Sequence, residues 1–301
     1  MLESLIMASP SQWLAGARPR TLPAALAPVL VGTGVAAHTV DAVWWKAAVA
    51  LVVALALQIA VNYANDYSDG IRGTDEDRVG PLRLVGSGLV PPEQVKRAAF
   101  LSFGVAAVAG LALAVTTNPW LIAVGVLCIL AAWFYTGGSK PYGYLGLGEV
   151  MVFVFFGLVA VMGTTYVQTE STSRDVVLPS LYGAIVAGAM ACAILVLNNL
   201  RDIPTDRESG KITLAVRLGD GGTRRLFAVL IAAAAAGVVA LAASTTWWAL
   251  VGLVVVPMSG RPLRRVLSGA DGRALIPALA QIGMAQLGCA VALFVALVAT
   301  A

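Results

Sequence analysis

The chain has 301 residues, of which 59% are hydrophobic and 12% charged, and its formal net charge at pH 7 is +4. A soluble globular domain has about 25% charged residues, so the composition excludes that class and indicates an integral membrane protein. Cys128, Cys192 and Cys289 show no paired spacing, and His38 is the one histidine. This excludes a disulfide framework and a histidine-based metal site. A small positive charge is typical of a protein beside anionic lipid, and nucleic acid is not an expected partner.

Nine apolar segments are long enough to be helices that cross the roughly 30 Å hydrocarbon core. The eighth is short and ends at Pro257, so a count of eight is the alternative. No signal peptide is expected, because Met1 to Trp13 is short and mixed and is followed by Arg18 and Arg20. The segments are 22–37, 44–64, 98–115, 118–136, 147–167, 178–198, 226–243, 246–258 and 274–299. They predict an all-α, polytopic membrane protein, a single domain over residues 1–301 with about nine transmembrane helices around a central cavity.

The distribution of basic residues predicts the orientation of these segments. All but two of the 20 Lys and Arg residues fall on one side, the exceptions being Lys46 and Arg174. Because Lys and Arg concentrate in cytoplasmic loops, the N-terminus is expected inside and the C-terminus outside the cell membrane. Five tryptophans lie where the even-numbered segments begin on the outer side, as an interfacial aromatic belt requires. They are Trp44, Trp45, Trp120, Trp247 and Trp248.

The first polar cluster is at the inner end of the second segment, in NYANDYSDGIRGTDEDRVGPLRLVGSG (62–88). On a helix, Asn62, Asn65, Asp66 and Asp69 are three or four residues apart, so their oxygens form one stripe. The sixth segment leads into a similar cluster, LNNLRDIPTDRESGKITLAVRLG (197–219).

In this second cluster the same spacing separates Asn198, Asp202 and Asp206, and the two clusters form a weak internal repeat. Both follow an even-numbered segment, so both are predicted to face the cytoplasm. The motif loops are expected at about 65–97 and 199–225, facing each other across the cavity.

Carboxylates at these positions require a cation. They lie near helix C-termini, where the macrodipole is already negative, and hard oxygen ligands without His or Cys indicate Mg²⁺. Basic residues follow each acid stripe, which suits a magnesium-bound diphosphate. The alternative is a solvated loop whose acids cap helices and pair with Arg. Two such clusters on one face argue against it, since each Asp at bilayer depth costs about 2.5–3.5 kcal/mol.

These residues resemble the UbiA superfamily of intramembrane prenyltransferases, whose aspartate-rich motifs read roughly N-D-x-x-D-x-x-x-D and D-x-x-x-D. Asn65, Asp66 and Asp69 match the first motif, and Asp202 and Asp206 match the second. The stretches ARPRTLPAALAPVLVGTG, GTDEDRVGPLRLVGSG and YTGGSKPYGYLGLGEV narrow the resemblance to the branch that prenylates 1,4-dihydroxy-2-naphthoate. The resemblance covers nearly the whole chain.

The resemblance implies a UbiA-like fold in which an allylic polyprenyl diphosphate binds with Mg²⁺ between the motifs, its tail in a groove open to lipid. The naphthoate ring attacks C1 of the prenyl chain, and diphosphate and CO₂ are lost. Gly73 stands where the superfamily has a third aspartate, and either Asp75 or Asp77 replaces it. Arg83 matches only the Arg of an expected Gln-Arg pair.

The resemblance also assigns residues to roles. Tyr135 and Lys140 are expected near the diphosphate, and the weaker alternative is an interfacial Tyr with a topogenic Lys. Arg18 and Arg20 either meet the naphthoate carboxylate or are orientation signals. The expected catalytic residues are Asp66, Asp69, Asp202, Asp206, Lys140 and Tyr135, and the expected metal ligands are Asp66, Asp69, Asp75, Asp202 and Asp206. Substrate binding is expected from Asn65, Arg72, Arg78, Arg83, Asn198, Asn199, Arg201, Lys211 and Arg20.

Two alternative functions stay open. Another aromatic acceptor, such as 4-hydroxybenzoate, haem or homogentisate, fits the same motifs. A cation-coupled transporter also carries acids in repeated helices, but transporter sites usually lie near the midplane, whereas both acid clusters here lie at predicted cytoplasmic ends.

Overall fold

A computed structural model describes residues 8–73 and 82–301. These residues form helices and no strand, which confirms the predicted all-α class. The helices are α1 Pro10–Gly16, α2 Pro23–Thr39, α3 Trp44–Ile71, α4 Pro92–Thr116, α5 Leu121–Phe134, α6 Gly148–Thr169, α7 Arg174–Glu208, α8 Leu214–Ser244, α9 Val255–Leu267 and α10 Ile276–Ala299. Short 3₁₀ segments span Pro19–Thr21, Tyr142–Leu145, Trp247–Val254 and Gly272–Leu275.

The predicted count of nine membrane spans is not confirmed. Six helices in the described part of the chain are long and apolar enough to cross a membrane, or seven if Pro10–Thr21 and Pro23–Thr39, bent by 50° at their junction, form one span. Helix α5 is apolar but has only 14 residues. Pro257 does not end the eighth segment as predicted. It lies in the first turn of α9, where proline removes no intrahelical hydrogen bond.

Both acid motifs lie on helices that extend beyond the predicted membrane segments. Helix α3 continues to Ile71 and α7 continues to Glu208. Residues 65–71 and 199–208, expected within motif loops, are therefore helical. This confirms the helical spacing on which the two stripes were predicted.

Glycines bring the central helices close together. A side chain at Gly157 of α6 would meet Ala184 O of α7 at 2.7 Å and Gly188 Cα at 2.9 Å. A side chain at Gly32 of α2 would likewise meet Val161 O of α6 at 2.6 Å. Small residues at such crossings allow backbones to approach without large side chains between them. The middle of α6, Phe153–Met162, is a π-helix, and it contains Gly157, which makes the close contact with α7.

The largest buried cluster among the described residues centres on α7 and reaches α2, α8 and α10. Met190 and Leu197 of α7 pack with Phe227 and Leu241 of α8 and with Leu293 of α10, and all five side chains are buried. Helix α7 is also the most buried of the six apolar spans. The second acid motif therefore lies on the most buried of these six helices.

The two ends of the bundle differ in chemistry. At one end Lys46 is buried and donates to Thr116 O (3.2 Å), Thr117 Oγ1 (2.9 Å) and Glu170 Oε1 (2.8 Å). The exposed rings of Trp44, Trp45, Trp120, Trp247 and Trp248 lie on the segments that begin at this end. The other end, where α3 and α7 finish, carries both acid motifs and is called the motif end below.

Candidate active site

Asp66 anchors the chain that follows motif one. Its side chain is fully buried, and its two carboxylate oxygens accept hydrogen bonds from the backbone N–H groups of Leu84 (2.8 Å) and Val85 (3.0 Å). Such paired backbone donors hold a carboxylate in a fixed orientation. The contact also brings the neighbouring Arg83 back onto α3.

Asp69 lies one turn further along α3 and meets two donors. Arg83 Nη2 lies 3.4 Å from Asp69 Oδ2, and both side chains are buried. The hydroxyl of Tyr144, from the 3₁₀ segment Tyr142–Leu145, donates to Asp69 Oδ1 at 2.8 Å. Motif one is thus tied to a segment about 75 residues away in sequence.

Motif two pairs each of its acids with a base. Arg201 binds Asp202 in a bidentate arrangement, Nε to Oδ1 at 2.6 Å and Nη2 to Oδ2 at 2.7 Å. Lys211 Nζ lies 3.5 Å from Asp206 Oδ1, and the Lys211 N–H donates to Asp206 O at 2.8 Å. Both aspartates are buried. Buried carboxylates need such partners, because an unpaired charge there is costly.

Tyr144 lies between the two motifs. Besides donating to Asp69, its ring faces two cations: Arg72 Cζ is 5.5 Å and Lys211 Nζ is 5.3 Å from the ring centroid. Both distances allow a cation–π attraction. Its carbonyl accepts from the Ile212 N–H at 3.1 Å, which fixes the segment against the linker after motif two. One tyrosine therefore connects an acid of motif one with bases of both motifs.

The asparagines of the two motifs have fixed orientations. Asn65 Oδ1 accepts from Thr136 Oγ1 at 2.7 Å, and Arg72 donates to the carbonyls of Thr136 and Gly138. Asn198 Nδ2 donates back to Ile194 O in its own helix at 3.1 Å.

Asn199 contacts a further buried acid. Its Nδ2 donates to Glu149 Oε1 at 2.8 Å, while Glu149 Oε2 has no hydrogen-bond partner among the described residues. Glu149 stands at the start of α6, so this bond joins α6 to motif two.

An apolar cavity of about 520 Å³ adjoins motif one. Its walls are side chains of α2 to α6, and helices α7 to α10 contribute none of the lining. Polar side chains reach it at a few positions, among them Gln58, Asn62 and Asn65 along α3, with Tyr135 and Tyr142 opposite. The rings of Tyr135 and Tyr142 pack edge to face at 5.5 Å. Burial raises the pKa of the Tyr142 hydroxyl, which donates to Ala131 O at 2.7 Å.

Several predicted site residues are not brought to the acids. Lys140 is exposed, and no hydrogen bond or ion pair joins its ammonium group to any described residue, whereas Tyr135 lines the cavity. Arg20 is exposed on the short segment before α2. Arg78, Asp75 and Asp77 lie outside the described residues. Within residues 8–73 and 82–301, no three His, Cys, Asp or Glu side chains are grouped closely enough to hold a metal ion.

Sequence reasoning missed Tyr144, Glu149 and Gln58. Tyr144 and Glu149 lie in YTGGSKPYGYLGLGEV, a stretch that was noted for Tyr135 and Lys140. A polar residue inside an apolar segment is a signal for function. Gln58 and Glu149 both carry that signal, since each is at a predicted membrane segment.

The family model for the UbiA prenyltransferase family matches residues 25–282. A 1,4-dihydroxy-2-naphthoate octaprenyltransferase of Mycobacterium tuberculosis is 58% identical over 286 residues, which cover 95% of this chain and 96% of that protein. The apo structure of a UbiA homolog from Aeropyrum pernix K1 has a TM-score of 0.74 at 16% identity, covering 92% of this chain and 98% of the other.

A UbiA homolog from Archaeoglobus fulgidus bound to GPP and Mg²⁺ has a TM-score of 0.59 at 14% identity, covering 95% of this chain and 99% of the other. These two structures share the fold, and the family model spans most of the chain. The chain therefore belongs to the UbiA prenyltransferase family.

Proposed function

We propose that the chain transfers a polyprenyl group from an allylic polyprenyl diphosphate to 1,4-dihydroxy-2-naphthoate, with loss of diphosphate and CO₂, to give demethylmenaquinol. The observation that carries the proposal is the arrangement around Tyr144. It joins an acid of motif one with bases of both motifs, beside a cavity that is apolar enough for a prenyl chain. The 58% identical relative from M. tuberculosis, named for naphthoate octaprenyl transfer, supports this acceptor over 4-hydroxybenzoate, haem or homogentisate.

The ion pairs at the motif end suit a site in which acids and bases exchange each other for a metal ion and a diphosphate when substrate binds. Arg83, Arg201 and Lys211 neutralise Asp69, Asp202 and Asp206. With a diphosphate and Mg²⁺ in the site, the bases would bind phosphate oxygens and the acids would hold the metal, so every charge would keep a partner. Arg72 and Lys211, both close to the Tyr144 ring, would bind the phosphates.

The donor set fits Mg²⁺, because carboxylate oxygens are the ligands that this ion prefers. Asp69, Asp202 and Asp206 would hold it, and the further expected ligand, Asp75, lies outside the described residues. Asp66 would fix the chain that carries Arg83, and each of its oxygens keeps a lone pair for a cation. When bound, Mg²⁺ would stabilise the charge that develops on the leaving diphosphate. The UbiA homolog from A. fulgidus bound to GPP and Mg²⁺ supports this assignment.

The residues of the cavity have a separate task. Its apolar walls from α2 to α6 exclude water from the allylic carbon once the C–O bond to diphosphate weakens. Tyr135 and Tyr142 line the same space, where their rings would stabilise a developing positive charge. Asn65, held by Thr136, lies where the cavity meets motif one and would orient the diphosphate end of the substrate.

We further propose that the motif end faces the cytoplasm and that the C-terminus is outside the cell membrane. The basic residues concentrated at the motif end support this orientation. Ser139 and Arg174 are exposed and, on this orientation, lie on opposite sides of the membrane. A membrane-impermeant maleimide should label an Arg174→Cys variant in intact cells and a Ser139→Cys variant only after permeabilisation. The reverse pattern would contradict the orientation.

The reaction is tested with purified protein in lipid nanodiscs. The protein is incubated with polyprenyl diphosphate and dihydroxynaphthoate, with Mg²⁺ or with a chelator, and products are identified by mass spectrometry. We expect a prenylated naphthoquinol whose mass lacks CO₂, formed only with the divalent ion. Product from 4-hydroxybenzoate or homogentisate but not from the naphthoate would overturn the proposed acceptor.

A further inference from the structure

Gln58 is a buried polar side chain on an otherwise apolar part of the cavity wall. It is 7% exposed, it lines the cavity, and it lies two helical turns before Asn65 on α3. At 1.5 Å per residue this is about 10 Å deeper than Asn65. Its Oε1 is buried and has no hydrogen-bond partner among the described residues. An unsatisfied buried acceptor costs about 1–3 kcal/mol, and that cost is recovered when a donor reaches it.

A directional hydrogen-bond network determines which atom of the Gln58 amide, nitrogen or oxygen, is left without a partner. Thr21 Oγ1 donates its proton to Arg18 O at 2.9 Å and therefore acts as an acceptor elsewhere. Asn62 Nδ2 donates to Ala17 O at 2.8 Å and to Thr21 Oγ1 at 2.9 Å. The Ala17 carbonyl can only accept, and the Thr21 hydroxyl has already donated its proton, so the NH₂ group of Asn62 faces both and its Oδ1 points away.

Gln58 contacts the two oxygens of this network that can still accept a hydrogen bond. Its Nε2 donates to Thr21 Oγ1 at 3.2 Å and to Asn62 Oδ1 at 3.3 Å. A flipped amide would place oxygen against two acceptors, so the network holds Gln58 with its oxygen as the remaining group. A ligand that satisfies Gln58 must therefore be a hydrogen-bond donor.

The substrates of the proposed reaction offer few donors. A prenyl chain has none, and a diphosphate and a carboxylate present acceptors. We infer that Gln58 Oε1 binds a phenolic hydroxyl of the aromatic acceptor and so positions its ring in the cavity. This inference rests on the proposed function. It assigns specificity to a residue that takes no part in metal or diphosphate binding.

The chemistry of the acceptor selects one hydroxyl. In 1,4-dihydroxy-2-naphthoate the 1-hydroxyl stands beside the carboxylate and donates to it internally. The 4-hydroxyl, across the ring, has no internal acceptor and is the one free to donate to Gln58. The carboxylate and the reacting edge of the ring then point away from Gln58, towards the motif end of the cavity.

The test combines a variant with a change in the ligand. Binding of the acceptor is measured in nanodiscs with Mg²⁺ and a non-hydrolysable prenyl diphosphate, so that it does not depend on turnover. The ligands are dihydroxynaphthoate and 1-hydroxy-2-naphthoate, which lacks the 4-hydroxyl. The variant is Gln58→Met, which keeps the length of the side chain and removes the amide.

Gln168→Met is the matched control. Gln168 is also buried, its Oε1 also has no partner among residues 8–73 and 82–301, and it does not line the cavity. We expect Gln58→Met to weaken dihydroxynaphthoate binding about tenfold and to leave binding of 1-hydroxy-2-naphthoate within about twofold. Gln168→Met should leave both affinities within about twofold. Equal weakening of both ligands by Gln58→Met would overturn the inference.

A second measurement needs no variant. On the unsubstituted protein, a 4-amino analogue should bind within a few-fold of the 4-hydroxyl compound, because it still donates. A 4-methoxy analogue should bind at least about tenfold more weakly, and equal binding would overturn the inference. If naphthoates do not bind at all, the proposed function fails. Gln58 is then tested with the phenol that the enzyme does prenylate, by comparing its free hydroxyl form with its methyl ether.

Discussion

The Tyr144 hydroxyl donates a 2.8 Å hydrogen bond to Asp69 Oδ1 and so links the cavity-side segment to motif one. Hydrogen bonds to charged groups contribute about 1.5–3 kcal/mol, and this one also orients a proposed metal ligand. We expect Tyr144→Phe to lower kcat/KM at least tenfold, measured with saturating naphthoate. Tyr166→Phe, at the far end of α6 against Trp120, is the control and should keep full activity. Equal activity of both variants would remove Tyr144 from the site.

Asp66 and Asp206 should differ in what their replacement changes. Asp66→Ala leaves the buried N–H groups of Leu84 and Val85 without acceptors, at about 1–3 kcal/mol each. We expect a clear fall in thermal stability, followed by intrinsic fluorescence during heating in detergent. Asp206→Asn keeps the shape of its side chain and should unfold near the temperature of the unsubstituted protein. A fully stable Asp66→Ala protein would mean that the backbone contacts do not hold the chain.

Magnesium and diphosphate requirements should separate acid from base in motif two. Asp206→Asn loses a proposed ligand, so it should need several-fold more Mg²⁺ for half-maximal activity. Lys211→Ala loses a contact to phosphate, so its KM for prenyl diphosphate should rise about tenfold with a nearly normal Mg²⁺ requirement. The two ligands are titrated separately on purified proteins. Identical shifts in both titrations for both variants would mean that motif two acts as one undivided electrostatic site.

The glycine contact between α6 and α7 predicts a stability difference between two chemically identical substitutions. Gly157→Ala places a methyl group 2.7 Å from Ala184 O, and overpacking of this kind costs about 1–3 kcal/mol. Gly104→Ala in α4 meets nothing within 4 Å and should stabilise the helix by about 0.5–1 kcal/mol. Thermal unfolding should therefore shift in opposite directions, and equal shifts would show that α6 and α7 separate easily.

Local sequence patterns were enough to predict the helical acid stripes. Spacings of three and four residues depend only on helix geometry, so Asp66, Asp69, Asp202 and Asp206 lie on helices as expected. The number of spans could not be predicted in the same way. Helix α5 is short, and the eighth segment divides into a 3₁₀ segment and α9, because packing against neighbours decides where a membrane helix bends.

The contacts between the motifs could not be predicted from spacing. Tyr144 reaches Asp69 because the 3₁₀ segment contacts both α3 and the linker after α7, and no periodic pattern in the sequence predicts that placement. The orientation of the Gln58 amide could not be predicted either. It depends on the carbonyls of Ala17 and Arg18, about 40 residues away in the chain, because these orient Asn62 and Thr21.

Helix α5 forms a wall of the cavity and has no buried residue of its own. Gly125 and Ile129 line the cavity, while Leu127 and Leu130 are exposed on the outside of the bundle. The boundary between lipid and cavity is here a single helix of 14 residues, set apart from the tightly packed α7, α8 and α10. We expect a long lipid substrate to enter past α5, the single layer between lipid and cavity on this side. Entry there would leave the packed core of α7, α8 and α10 undisturbed.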